Sequence, residues 1–405
     1  MQQRVGHSIK MNPESIDPQR LMPWLSPEQT QADLHAFSQV LLDTPERWPQ
    51  WWAVRSVEQA ADFLSGLALD AEHKHRLMTQ VQITLGLQAL GQEFSDLKLP
   101  SGAPDYGRQL APTPFQVVWQ DERAQLVVYP GEGIPVVWVP AVINKHYILD
   151  LSPQRSVIRR MQASGCQVFS VIWRNPTGNP GPEEYLDSVQ NALQALGHPV
   201  HLAGYCLGGV LAAAAVSKGA QVQSLSLIAA PLDGQMGESS AWFTPLQRAH
   251  TERCAQTRGR VPAGVLSAGF LALKPASWGG LFHEGRYPEL AAWLMDGLDV
   301  SPAMWSWICN RVYGPGGAIQ VYGLDALEVP VWNQAFDGDH LVKPQTFETR
   351  GGVIQTRAPG GHNGGLLREN WLKPWINWLP GGGQTLTPPR VAEPRDYLTE
   401  SGAAL

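Results

Sequence analysis

From about residue 113 the chain changes to short apolar or alternating runs: FQVVWQ (115–120), QLVVY (125–129), PVVWV (135–139), VFSVI (168–172), VHLAG (200–204) and SLSLIA (224–229). Runs of this length, rich in Val, Ile and aromatics and bounded by Gly, Pro and polar clusters, predict strands. Residues 154–163, 182–196 and 209–217 carry helical spacing between them. Strand alternating with helix predicts an α/β fold with a mostly parallel sheet covered on both faces. Segments rich in Trp, Pro and Gly interrupt the alternation from about 232 to 328, before two further strands, VPVWNQAF (329–336) and GVIQTR (352–357). The interruption reads as a cap over a site.

Residues 1 to about 95 read as helical. Ser26-Pro27-Glu28-Gln29 and Ser56-Val57-Glu58-Gln59 each fit a capping box opening a periodic run. The expected organisation is a helical N-terminal region over 1–105, a catalytic domain over 106–380 with the cap inside it, and an irregular tail over 381–405 that holds Gly381-Gly382-Gly383 and Pro388-Pro389. No internal repeat is visible. His73-Lys74-His75 sits in a polar helical run with no third ligand nearby and reads as a solvated face.

Composition narrows the partners. The chain has 405 residues, 43% of them hydrophobic, and a net charge of -6 without any acidic or basic block, which argues against nucleic acid. Cys166, Cys206, Cys254 and Cys309 form no CxxC pair, which argues against a zinc site or a disulfide framework and fits a reducing cytosol. The first thirty residues lack a leader pattern and no apolar stretch is long enough to span a bilayer, so neither secretion nor a transmembrane anchor is expected. No Walker loop or dinucleotide glycine pattern is present, and no cofactor or metal is expected. The 16 tryptophans cluster at Trp48, Trp51 and Trp52, at Trp293, Trp305 and Trp307, and at Trp371, Trp375 and Trp378. Core packing is the first reading of these clusters, and an apolar surface such as lipid or insoluble polymer is the second.

The chemistry concentrates where VHLAG runs into Tyr205-Cys206-Leu207-Gly208-Gly209 and then the small, apolar VLAAAAV. Strand, sharp turn and helix in that order make a nucleophile elbow, G-x-C-x-G, with a thiol where the related turn carries serine. A buried inert cysteine is the bland alternative. A helix N-terminus and a nearby histidine favour thiolate chemistry, and the backbone N–H of Leu207 is placed to hold a developing oxyanion. In this fold an acid and then a histidine should follow. Asp337 and Asp339 come just after VPVWNQAF, either one able to serve as the acid, and His362 follows in the Gly-rich Ala358-Pro359-Gly360-Gly361-His362. Cys166, Cys254 and Cys309 read as core or unreactive thiols.

The elbow GYCLGG resembles the lipase-box-like motif of the polyhydroxyalkanoate synthases, in which cysteine replaces serine. VPAVINKHYILDLSP (139–153), QVFSVIWRNP (167–176), Asp339-His340-Leu341-Val342 and Gly361-His362 resemble further segments of that family in the expected order, over roughly 105–380. VPAGVLSAGFLALKP (261–275) and the Asp296 region are also family-like. The chain departs from the family at Ala141-Val142, where proline and a bulky residue are common, at Lys343, which sets Pro344 one place late, and at Asn363, where an apolar residue usually follows the histidine.

The resemblance implies an α/β-hydrolase fold and a synthase that polymerises 3-hydroxyacyl-CoA with release of CoA. Cys206 carries the acyl chain, His362 is the base and Asp339 supports it, while Leu207, Val142 and Ile143 are oxyanion or substrate contacts. It further implies CoA as substrate carrier only, a growing polyester at a cytoplasmic granule surface, and a homodimer or accessory subunit. Two other outcomes stay open: a thioesterase, depolymerase or other acyltransferase of the same fold, and a catalytically silent granule-binding protein.

Overall fold

Eight strands build one sheet in the computed structural model, which describes residues 110–234 and 288–379, the stretches 62–71 and 259–263, and positions 36, 74, 77, 255 and 266. The chain divides into two units, Met1–Ala89 and Leu90–Leu405. Within the first, Phe63, Leu64, Leu67 and Leu77 are buried. The capping boxes at 26–29 and 56–59, Trp48, Trp51, Trp52, His73, His75 and Cys254, most of 261–275 and the tail after 380 lie outside the described residues.

The second unit contains β1 (Gln116–Gln120), β2 (Ala124–Val128), β3 (Ile134–Val139), β4 (Asp150–Ser152), β5 (Arg155–Ser156), β6 (Cys166–Trp173), β7 (Val200–Tyr205), β8 (Val222–Ile228), β9 (Val331–Phe336) and β10 (Val353–Ala358). The main sheet runs β1-β2-β6-β3-β7-β8-β9-β10. From β6 to β10 every neighbouring pair is parallel, and β2 runs antiparallel to both β6 and β1. β2, β6 and β7 are buried along their whole length. The near-continuous apolar character of β6 and β7 follows, because the parallel part of a sheet covered on both faces leaves no strand face for water.

Helices α1 (Val157–Ala163), α2 (Pro182–Ala195) and α3 (Leu207–Ser217) follow β5, β6 and β7. α1 starts three residues later than its periodicity predicts. Arg155 and Ser156 instead pair with β4, and the Ser156 hydroxyl accepts from the Arg159 amide as N-cap. The same hydroxyl donates to Asp150, whose carboxylate also accepts from the Thr113 amide at 2.9 Å and hydroxyl at 3.0 Å. α3 is apolar on every side and buried from Leu207 to Val216, as a helix sunk into the sheet must be.

Between β8 and β9 come α4 (Pro288–Met295), α5 (Pro302–Trp307), a π-helical turn (Ile308–Val312) and α6 (Gly317–Tyr322). α7 (His362–Leu366) and α8 (Leu372–Trp378) follow β10. Trp293, Trp305, Trp307, Trp371 and Trp375 are buried. Trp138, Trp375, Trp371 and Phe336 stack in sequence at centroid distances of 5.5, 5.6 and 6.2 Å, tying β3 through α8 to the end of β9. Among the described residues no helix is long and apolar enough to cross a membrane.

Candidate active site

Parallel pairing brings the C-terminal ends of β7, β9 and β10 to one edge of the sheet, where α/β folds place their chemistry. Cys206 follows β7 directly and adopts φ 54°, ψ -128°, a conformation that an L-residue holds only when its surroundings enforce it. Its amide is anchored on the Ile228 carbonyl at 2.9 Å and its carbonyl accepts from Gly209 at 2.8 Å. The glycines make the turn possible: a Cβ on Gly204 would lie 2.4 Å from Gly209 Cα, and one on Gly208 would lie 2.0 Å from the Val139 carbonyl oxygen. Cys206 therefore stands at the N-terminus of α3 with little freedom to move.

The acid and the histidine reach the same place through turns locked to each other. Asp337 N donates to Ala358 O at 2.9 Å, and Gly338 N donates to Gly360 O at 2.8 Å. Asp339 Oδ2 then accepts from His362 Nδ1 at 2.7 Å, while its Oδ1 accepts from the amides of Leu341 and Val342 at 2.8 and 3.0 Å. Asp337 faces outward instead and pairs with Arg357 at 2.8 Å, both side chains being exposed. Of the two candidate acids, only Asp339 meets the histidine.

Electrostatics favour charge separation here. Burial pulls the His362 pKa down, but the Asp339 carboxylate, the Cys206 side chain and hydrogen bonds to both outweigh it and raise the pKa to about 10. Burial pushes Asp339 up, and its interaction with His362 and the two backbone amides more than offsets that, leaving it below the usual carboxylate range. With Nδ1 committed to Asp339, Nε2 is the nitrogen left to exchange a proton with groups in the site.

A cavity of about 180 Å³ opens over these groups, lined by Tyr205, Cys206, His362 and Asn363 and, among others, by Ala141, Ile143, Lys145, Trp293 and Leu294. Of the three predicted oxyanion or substrate contacts, Ile143 lies in the lining, Leu207 at the first turn of α3, and Val142 is packed into the hydrophobic core. The first amides of a helix have no intrahelical partner, so the Leu207 N–H suits a developing negative charge.

The lining also holds groups that sequence reasoning passed over. Tyr205 donates to Asn363 Oδ1 at 2.7 Å and lays its ring 5.1 Å from the His362 imidazole. Lys145, buried, lies 3.9 Å from Asp296, which also accepts from Tyr147 at 2.8 Å. Tyr205 and Asn363 flank Cys206 and His362 in the chain, a signal open to reading; the Lys145–Asp296 contact had none, since 151 positions separate the two (296 − 145). Among the described residues no cluster of three or more His, Cys, Asp or Glu could hold a metal ion.

Strand order and the strained strand–thiol–helix turn define an α/β-hydrolase-fold protein. A family model described as the N-terminus of poly-beta-hydroxybutyrate polymerase (PhaC) matches residues 93–161. The subunit PhaC of a poly(3-hydroxyalkanoate) polymerase from Haloarcula marismortui is 26% identical over 60% of this chain and 60% of its own. Poly(3-hydroxyalkanoate) polymerase 1 from Ectopseudomonas oleovorans is 30% identical over 62% of this chain and 46% of its own. The chain is similar to PhaC proteins over these stretches, and it spans about half to three-fifths of the length of these relatives. A solved esterase from Thermogutta terrifontis superposes with a TM-score of 0.47 at 17% identity, covering 65% of this chain and 96% of that one.

Proposed function

We propose that the protein is a poly(3-hydroxyalkanoate) polymerase in which Cys206, His362 and Asp339 form a catalytic triad. The observation that carries the reading is a thiol held on a strained elbow beside an imidazole whose other nitrogen bonds a buried carboxylate. An imidazolium beside sulfur is the arrangement that supplies a thiolate nucleophile. The Cys206 sulfur attacks the thioester carbonyl of 3-hydroxyacyl-CoA, the Leu207 amide and the Ile143 side of the cavity receive the oxyanion, and CoA leaves as its thiol after taking the proton from His362.

The hydroxyl of a second hydroxyacyl group then attacks the Cys206 thioester. Its proton passes to His362 Nε2, the C–O bond forms, the C–S bond breaks and the sulfur is regenerated. Exchange between thioesters is close to thermoneutral, so the acyl-enzyme stays reactive toward an alcohol, and the apolar lining from Ile143, Ile148, Leu294 and Leu341 limits competition by water. The names of the matched relatives support this substrate class. CoA enters only as carrier. The site of action is a cytoplasmic granule surface, and the working form is a homodimer or includes an accessory subunit.

The test follows free CoA and acyl product from 3-hydroxybutyryl-CoA and longer homologues with purified wild type, Cys206→Ala and Cys206→Ser. Polymer and CoA release that disappear in Cys206→Ala are expected. Release of CoA with only free acid would make the protein a thioesterase, and absence of turnover by the wild type would overturn the reading.

A further inference from the structure

Asn363 occupies an unusual place in the cavity. It follows the histidine directly in α7, and its side-chain carbonyl is taken by the Tyr205 hydroxyl, the residue just before the nucleophile. Burial, reinforced by the charges of Cys206 and Asp339, pushes the Tyr205 phenol far above its ordinary range, so it stays protonated and acts as the donor. That fixes the amide's orientation: Oδ1 faces Tyr205, and Nδ2, which has no protein partner among the described residues, is the hydrogen-bonding group Asn363 has left for the cavity it lines. Besides Asn363 the lining holds the polar residues Asn144, Lys145 and His340, of which Lys145 is drawn toward Asp296, while Ile143, Ile148, Leu294 and Leu341 are apolar.

We propose, building on the polymerase reading above, that Asn363 is the hydroxyl-orienting residue of the transfer step and that Tyr205 positions it. Nδ2 donates to the oxygen of the attacking hydroxyl. That contact occupies one lone pair, turns the O–H proton toward His362 Nε2 and leaves the other lone pair aimed at the thioester carbonyl on Cys206. The C–O bond forms as the proton moves to Nε2, and the C–S bond breaks as Sγ leaves. Acylation of Cys206 by a thioester has no attacking hydroxyl and makes no use of Asn363, so the two half-reactions respond differently to its loss.

The experiment separates them with two substrates. Butyryl-CoA, which lacks the hydroxyl, reports acylation as the first CoA released per site by stopped flow; 3-hydroxybutyryl-CoA reports repeated transfer as steady-state CoA release and polymer. In Asn363→Leu the first CoA from butyryl-CoA is expected at the wild-type rate and amplitude, within about twofold, while turnover of 3-hydroxybutyryl-CoA falls by about tenfold or more, the effect of one neutral hydrogen bond. Tyr205→Phe, which keeps the amide but frees it to rotate, should show the same selective loss in smaller measure. The amplitude with butyryl-CoA counts folded, competent sites, so a variant that fails to fold is recognised. Equal loss in both half-reactions, or no loss in either, would overturn the assignment while leaving the polymerase reading intact. A wild type that makes no polymer would remove the reading beneath it.

Discussion

The contact between Asp339 and His362 orders the chemistry at the scale of single residues. Asp339 bonds Nδ1, whereas Asp337, two positions away, pairs with Arg357 in solvent. Asp339→Asn should therefore slow CoA release by about 10²–10⁴-fold, the range for losing a base's orienting partner, and Asp337→Asn should stay within about twofold, both measured at saturating substrate. The same pair makes stability depend on pH. His362 is raised from 6.5 to about 10, so the stabilisation from that shift is complete below pH 6.5 and is lost as the pH climbs through about 10. Asp339 is held below 3.8, so its share is present above that value and is lost as the pH falls through its lowered pKa. The urea midpoint of the wild type minus that of His362→Gln, followed by circular dichroism, should shrink between pH 6.5 and 10; a constant or growing difference would mean that the imidazole is not held as a cation.

At the scale of elements, the histidine turn is held by close approach rather than by a long helix. α7 spans only His362–Leu366, and a Cβ built on Gly365 would lie 2.4 Å from the Phe336 ring at the end of β9. Phe336 rests on Trp371 and through it on Trp375 and Trp138, so the ring has little room to yield. Gly365→Ala is expected to lower the unfolding free energy by about 1–3 kcal/mol, as overpacking does, and to reduce activity by moving His362 away from Cys206. The test is a chemical denaturation curve with activity on the folded fraction. A shift below about 0.5 kcal/mol would show that the Phe336 stack gives way.

Across the second unit, α4 and the segment after it are stapled to the 143–147 turn that lines the cavity. Trp293 donates to the Lys145 carbonyl at 2.8 Å, Leu298 N donates to Ile143 O at 3.1 Å, Asn144 bridges Gly297, and Tyr147 donates to Asp296 at 2.8 Å. Burial lowers the Lys145 pKa while Asp296 and Asp299 pull it back up, so the ammonium depends on those carboxylates. Because Asp296 is 38% exposed, solvent screens much of the pair. Asp296→Ala should then cost about 1–2 kcal/mol of unfolding free energy, less than a fully buried pair, and Lys145→Met in the same chain should recover part of it. Calorimetry of the single and double variants checks this. No recovery would mean that the Tyr147 hydrogen bond, and not the ion pair, holds the staple.

Much of this molecule was legible in local pattern. Apolar or alternating runs of strand length located all eight strands of the main sheet; the inner strands are buried on both faces and largely apolar, whereas the edge strand β10 is exposed or half-buried along most of its length. The G-x-C-x-G turn marked Cys206, because only glycine tolerates the approach of Val139 and Gly209 at positions 208 and 204. Acid and histidine followed in the expected order. The β4–β5 pairing that shortened α1 and the staple from Asp296 to Tyr147 were not legible; local pattern left Asp337 and Asp339 both open, with the family resemblance pointing to Asp339, and the places of Tyr205 and Asn363 beside Cys206 and His362 marked those residues without giving their bond. The Tyr205–Asn363 and Tyr147–Asp296 contacts depend on which side chains meet after the sheet has aligned its strand ends, at separations of 158 and 149 positions. Sequence by itself determined the strands, the helices beside them and the reactive residue types, because those follow from local burial and backbone sterics. Tertiary structure decided which atoms meet, the Asp339 carboxylate on the imidazole and the Asn363 amide at the cavity, because those follow from strand register and turn geometry.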